Sequence, residues 1–215
     1  MSDLEIVALP NGQFAENCYI LGDRTTHHAV MVDPGEEPRL FLAELDTRGW
    51  SLQAIWLTHA HLDHIMGVRA VKEATGVPIH LHPADRGLYE ALPRQGEWMG
   101  LPLQAPPPPD AELVDGQVLR LDGHEFVVRH TPGHSPGSVS FLAPGLVLGG
   151  DVLFNGSIGR TDLPGGDFPT LMHSIQSVML ALPDSTVVYS GHGPETTVGV
   201  ERMTNPFLTV AYRYE

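Results

Sequence analysis

Apolar and polar positions follow two rhythms along this chain, and the switches between them mark its elements. LEIVAL at 4–9, NCYILGD and HAVMVD are short apolar runs closed by turn residues, the last at Asp33-Pro34-Gly35, and they predict strands. Residues 38–48 space Leu40, Phe41 and Leu45 helically and stop at Gly49. AIWLT predicts a short buried strand that runs into a histidine cluster at 59–64. Helical spacing returns over Ile65, Val68 and Val71 and ends at Gly76, and 77–81 predicts another strand. Proline punctuates 93–110, and the run Pro106 to Pro109 favours stiff extended backbone, so a surface excursion is expected there. Beyond it, VLRL-Asp122-Gly123-HEFVVR carries a two-residue hairpin signal. SVSFLA, LVLGG and TVVYSG predict further strands. Residues 168–182 place Phe168, Leu171, Met172, Ile175, Val178, Met179 and Leu182 on one helical face, with Asp167 as the N-cap. A short helix is expected near 199–204.

The polar chemistry falls where apolar runs end. Thr58-His59-Ala60-His61-Leu62-Asp63-His64 follows a strand, and in extended chain His59, His61 and Asp63 share one side because side chains alternate with period two. His64 joins them only if the chain curls into a helix at that point. Three later turns each present one more donor: His134 in Thr131-Pro132-Gly133-His134, Asp151 after Gly149-Gly150, and His192 between Gly191 and Gly193. Imidazoles and carboxylates at this density point to a metal site, since histidine is the commonest metal ligand. His80 and His82 alternate as on a strand and are expected to be structural. His130 suits a packing role or a hydrogen bond behind His134. His27, His28, His124 and His173 are expected on the surface or in turns.

Composition narrows the partners. Twelve Lys+Arg against 26 Asp+Glu give a net charge of −14 in 215 residues, a field that repels nucleic acid and anionic membranes. A small anionic substrate needs only a local cation and stays open. The sequence starts MSDLEIVALP, without a basic segment or long apolar run, so neither a signal peptide nor a membrane span is expected. Its single cysteine, Cys18, is expected to be a small buried hydrophobe, and a cytoplasmic location follows from the lack of disulfides.

With its H-x-H-x-D-H motif and its later His, Asp and His, the sequence resembles the metallo-β-lactamase-fold hydrolases along nearly its whole length. The resemblance implies an α/β fold, a four-layer αββα sandwich spanning 1–215 as one domain, with the site at one edge of two sheets. It implies that His59, His61 and His134 bind one metal, Asp63, His64 and His192 a second, and that Asp151 bridges them. The cofactor is then two divalent ions, zinc first, with iron or manganese as alternatives. Such ions lower the pKa of bound water to about 7, which makes hydroxide available as nucleophile. Asp63 and Asp151 would be the catalytic carboxylates, with Asp63 orienting that hydroxide.

Within the fold, the segment Gly150-Asp151-Val152-Leu153-Phe154-Asn155-Gly156-Ser157-Ile158-Gly159-Arg160-Thr161-Asp162-Leu163-Pro164-Gly165-Gly166-Asp167 resembles the short glyoxalase II-like proteins, which hydrolyse glutathione thioesters. The implied substrate is a thioester such as S-lactoylglutathione. Full-length glyoxalase II adds a C-terminal helical domain whose basic residues grip glutathione, and this sequence continues only about 23 residues past His192. Glutathione is therefore expected to be held differently, or another thiol carrier used. Gly159 to Asp162 also matches a Gly-Arg-Thr-Asp segment of the persulfide dioxygenases, which use one iron and molecular oxygen. That oxidation is the competing activity, and a non-catalytic metal-binding module ranks behind both. Arg160, in a glycine-rich loop, is expected to position an anionic substrate or to brace its loop against Asp162 or Asp167. Oligomeric state stays open.

Overall fold

The computed structural model describes residues 3–209. Its first half runs β1 (Leu4–Asn11), β2 (Glu16–Asp23), β3 (His28–Val32), α1 (Pro38–Arg48), β4 (Ser51–Trp56), α2 (Leu62–Ile65), α3 (Val68–Thr75), β5 (Ile79–Leu81), α4 (Arg86–Glu90), α5 (Leu92–Trp98) and β6 (Ala111–Glu112). The second half runs β7 (Val118–Leu121), β8 (His124–His130), β9 (Val139–Ala143), β10 (Leu146–Gly150), β11 (Leu153–Phe154), β12 (Ser157–Ile158), α6 (Phe168–Ser174), β13 (Val187–Ser190), β14 (Thr196–Thr197), α7 (Val198–Thr204) and α8 (Pro206–Thr209).

Two six-stranded sheets result, ordered β1-β2-β3-β4-β5-β6 and β14-β13-β10-β9-β8-β7, with a small β11-β12 ribbon apart. Each sheet begins as an antiparallel meander and turns parallel where a helix intervenes. α1 carries the chain from β3 to β4, and α6 carries it from β10 to β13.

Strand alternation then sorts the apolar side chains into three cores. Cys18, Ile20, Met31 and Ile55 face outward onto Phe41 and Leu45 of α1 and Val68 and Val71 of α3. Their neighbours Tyr19, Leu21, Val30 and Trp56 face the other way, against Phe126, Val128, Phe141 and Leu148 of the second sheet. Val147 and Val188 on that sheet's far side cover Leu171, Ile175 and Val198 of the last helices. Three cores between four layers make the αββα sandwich that the family resemblance implies.

Several local expectations change. The segment 93–110 begins as helix, since Pro93 sits in the first turn of α5, where no backbone N–H is needed. Only the remainder is irregular, and the Tyr89 hydroxyl ties it down by donating to the Pro107 carbonyl at 2.8 Å. The helix expected over 168–182 is α-helical only to Ser174 and continues as a π turn over Ile175–Met179. Asp167 does cap it, accepting from the Thr170 amide at 2.9 Å. The helix expected from Ile65 to Ala74 is broken into α2 and α3 at Met66-Gly67. His124 is buried, not a surface residue, because its Nε2 pairs with Asp23 Oδ2 at 3.0 Å. His82 and His130 stack face to face with centroids 4.2 Å apart, and His130 also bonds the Pro136 carbonyl. Among the described residues no helix is long and apolar enough to cross a membrane.

Trp56 sits at the centre of the inter-sheet core, 5.3 Å from the Phe126 ring and 5.5 Å from that of Phe141. Trp56→Ala leaves a void between two sheets that cannot collapse onto it, and is expected to cost about 3–5 kcal/mol. Denaturant unfolding measures this. A loss under about 1 kcal/mol would show that the sheets close the gap.

Candidate metal centre

The histidines and aspartates singled out in the sequence follow the C-terminal ends of strands from both sheets. The loop after β4 carries His59 to His64, that after β8 carries His134, that after β10 carries Asp151, and that after β13 carries His192. α2 starts at Leu62 with His61 as its N-cap, which supplies the curl that turns His64 inward. The side chains meet in two groups, His59/His61/His134 and Asp63/His64/His192. Asp151 faces both, with Oδ2 3.4 Å from His134 Nε2 and 3.5 Å from His192 Nε2, and Oδ1 3.4 Å from His64 Nε2. Asp63 Oδ2 lies 3.2 Å from His192 Nε2. Gly191 permits this approach, since a Cβ there would collide with Asp151 Oδ1.

Hydrogen bonds behind the imidazoles set their tautomers. His134 Nδ1–H donates to the Arg160 carbonyl at 2.7 Å and His192 Nδ1–H to the Phe14 carbonyl at 3.1 Å. His64 Nδ1–H donates to Asp33 Oδ2 at 3.0 Å. His59 Nδ1–H donates to Thr58 Oγ1 at 3.0 Å, while that hydroxyl donates to Asp33 Oδ2 at 2.5 Å. Each ring thereby turns an Nε2 lone pair towards the group.

This arrangement fits a metal. His59 Nε2 and His134 Nε2 lie 3.2 Å apart, and His134 Nε2 and His61 Nδ1 2.8 Å apart. With Nδ1–H committed elsewhere, the lone pairs of His59 and His134 face each other with no proton between them, a repulsion that a bound cation relieves. Nitrogens at ~2.1 Å from one ion would sit roughly 3.0–3.4 Å from each other. His64 Nε2 and Asp151 Oδ1 are buried without a hydrogen-bond partner, again as ligand atoms would be. Burial lowers the His59 pKa and takes that of His61 down to about 3, keeping both rings neutral. Burial also opposes charge on His64, but the carboxylates of Asp151 and Asp63 outweigh it and raise its pKa. Asp151 is held ionised against burial by His64, His134 and His192.

Three supporting residues escaped the sequence reading. Asp33 accepts from the Thr58 amide at 2.7 Å, from its hydroxyl and from His64. Asp85, fully buried, accepts from the Ala60 amide at 3.0 Å, the Ser135 hydroxyl at 2.7 Å and the Gly137 amide at 2.6 Å. Burial raises its pKa, and these donors offset part of the rise. Gln95 of α5 accepts from the Leu62 amide and donates to the Ala60 and Leu88 carbonyls. Asp33 closes the Asp33-Pro34-Gly35 turn, the one faint signal among them.

His61, Asp63, His134, Asp151 and His192 form the floor of a cavity of about 770 Å³, within the ~300–1,000 Å³ range of small-molecule sites. α4, α5, Phe14 and the 154–164 loop wall it. Arg160 borders it, with its guanidinium held by both carboxylate oxygens of Asp162 at 2.7 and 2.8 Å.

Fold and cluster together define a metal-binding hydrolase scaffold. The chain belongs to the metallo-beta-lactamase superfamily, whose family model matches residues 11–192. It is 38% identical over 209 residues to hydroxyacylglutathione hydrolase GloC of Haemophilus influenzae, covering 95% of this chain and 98% of that protein. Among solved structures it is similar to the BLEG-1 B3 metallo-beta-lactamase (TM-score 0.90, 41% identity, 95% of this chain and 100% of the other). TTHA1623 in a di-iron-bound form is comparably similar (TM-score 0.86, 43% identity, 94% and 100%).

The carboxylate of Asp85 ties the loop between His59 and His61 to the loop of His134. Asp85→Ala is therefore expected to weaken metal retention by about 10–100-fold while the circular dichroism spectrum stays native. Competition with a chromophoric chelator measures this, and unchanged affinity would refute a positioning role.

Proposed function

We propose that this protein is a binuclear metal-dependent thioesterase of the glyoxalase II type, cleaving an acyl thioester such as S-lactoylglutathione. The observation that carries the reading is the composition of the cavity. Its floor is the His/Asp cluster. Among the described residues bordering it, the other titratable groups are two arginines, Arg94 and Arg160. Neither is a general acid, so these lining residues offer none apart from the cluster itself. That suits a leaving group that departs as an anion, and thiols, with pKa about 8.5, do so far more readily than amines. The 38% identity to a hydroxyacylglutathione hydrolase supports the same choice.

His59, His61 and His134 would hold one ion and Asp63, His64 and His192 the other, with Asp151 between them. Once bound, a divalent pair supplies an acidified water and an electrophilic pull on the carbonyl oxygen. The chain supplies the rest. Asp63 stands at the cavity floor, where it orients the attacking water and accepts its proton. The apolar walls keep bulk water away and strengthen these charge interactions.

Metal analysis with hydrolysis of S-lactoylglutathione tests the proposal. Two metals per chain and thiol release without oxygen uptake are expected. One iron per chain with oxygen uptake on glutathione persulfide would overturn it in favour of the dioxygenase. A chromogenic β-lactam is the amide control and is expected to turn over far more slowly. Asp151→Ala is expected to lower activity by more than about 100-fold, beyond the loss for a supporting residue, and to lower metal content with the fold kept. Full turnover in that variant would refute the binuclear site.

A further inference from the structure

The cavity is also bordered by a cation that none of the described residues pairs with. Arg94 borders it and has no hydrogen-bond or ion-pair partner among the described residues. The other bordering cation, Arg160, already spends its fork on Asp162. In a chain of net charge −14, an unpaired guanidinium over an active-site cavity is unusual, because acidic partners are plentiful.

Helix geometry explains where Arg94 is held. On α5, Arg94 and Trp98 are four residues apart and share a face, and both border the cavity. Gln95, about 100° further round the helix, points into the protein and bonds Leu62 and Ala60 of the metal loop at 3.0 Å each. α5 is thus pinned to the backbone that presents His61 and Asp63. Its cavity face stands in fixed relation to the site of bond cleavage. Trp98 and Met99 extend that face as exposed apolar surface, 64% and 49% accessible.

We propose that α5 is the recognition element for the thiol half of the substrate, with Arg94 gripping an anionic group of the carrier and Trp98 covering its aliphatic stem. The proposal rests on the thioesterase reading and specifies its substrate class as thioesters of an anionic thiol. It gives the chain, on its own scaffold, a cationic grip on the carrier. A guanidinium suits a carboxylate, which it can hold through two parallel hydrogen bonds. A pantetheine phosphate offers the same charge, so the test includes both.

Binding and kinetics are read on the metal-loaded protein. Titration calorimetry with S-hexylglutathione, which is not hydrolysed, measures carrier binding without turnover. Arg94→Ala is expected to weaken that binding about tenfold, Arg94→Lys less, and added salt to weaken the wild type more than Arg94→Ala. In kinetics, Arg94→Ala is expected to raise KM for S-lactoylglutathione about tenfold relative to the neutral S-lactoyl-N-acetylcysteamine. Arg160→Ala should change both substrates alike and lower the melting temperature. A larger Arg94 effect on lactoyl-CoA than on S-lactoylglutathione would assign the grip to phosphate. Equal S-hexylglutathione and lactoyl-CoA affinities in wild type and Arg94→Ala, or no binding of either by the wild type, would overturn the proposal. Absence of hydrolysis of every thioester alongside intact Arg94-dependent binding would instead refute the thioesterase reading alone.

Discussion

The metal centre is assembled from loops of two different sheets, and a buried carboxylate is what joins them. Asp85 accepts one bond from the backbone between His59 and His61 and two from the loop that carries His134. A carboxylate taken out of water is costly unless its lone pairs are filled. Here each bond that fills them also fixes the relative position of metal-facing loops. Asp33 does the same within the first sheet, joining Thr58 to His64. The sandwich supplies rigidity through its three apolar cores. These carboxylates convert that rigidity into the placement of individual nitrogen and oxygen atoms.

The layered architecture follows from chain order and alternation. Strands whose neighbouring residues serve different cores must be covered on both faces, and the parallel steps at β3–β4 and β10–β13 put helices on the outer ones. Parallel strands also share a common C-terminal edge, the usual place for ligand sites in such sheets. β4, β10 and β13 deliver their loops to that edge, and β8 reaches it as well.

Much of this is legible in the sequence because its signals are local. Apolar runs with period two mark the strands, and the polar cluster at 59–64 is dense enough to stand out without a structure. His134, Asp151 and His192 each follow an apolar run and sit beside glycine. Asp85, Asp33 and Gln95 give almost no such signal. Their partners in the loops that carry the cluster lie between 25 and 52 residues away, so nothing near them in sequence records those bonds. α5 is hidden because proline marks both a helix start and an irregular segment, and Pro93 and Pro106 belong to different cases. His124 looks like a hairpin residue until Asp23, 101 positions earlier, is brought against it.

Two of the atoms that orient the imidazoles are main-chain oxygens, those of Phe14 and Arg160. Side chains at the same two positions border the cavity. The two duties are therefore carried by different parts of one residue. Substitution at Phe14 reshapes the cavity wall while the carbonyl that fixes His192 stays in place. Substrate choice can thus drift without disturbing the reactive centre.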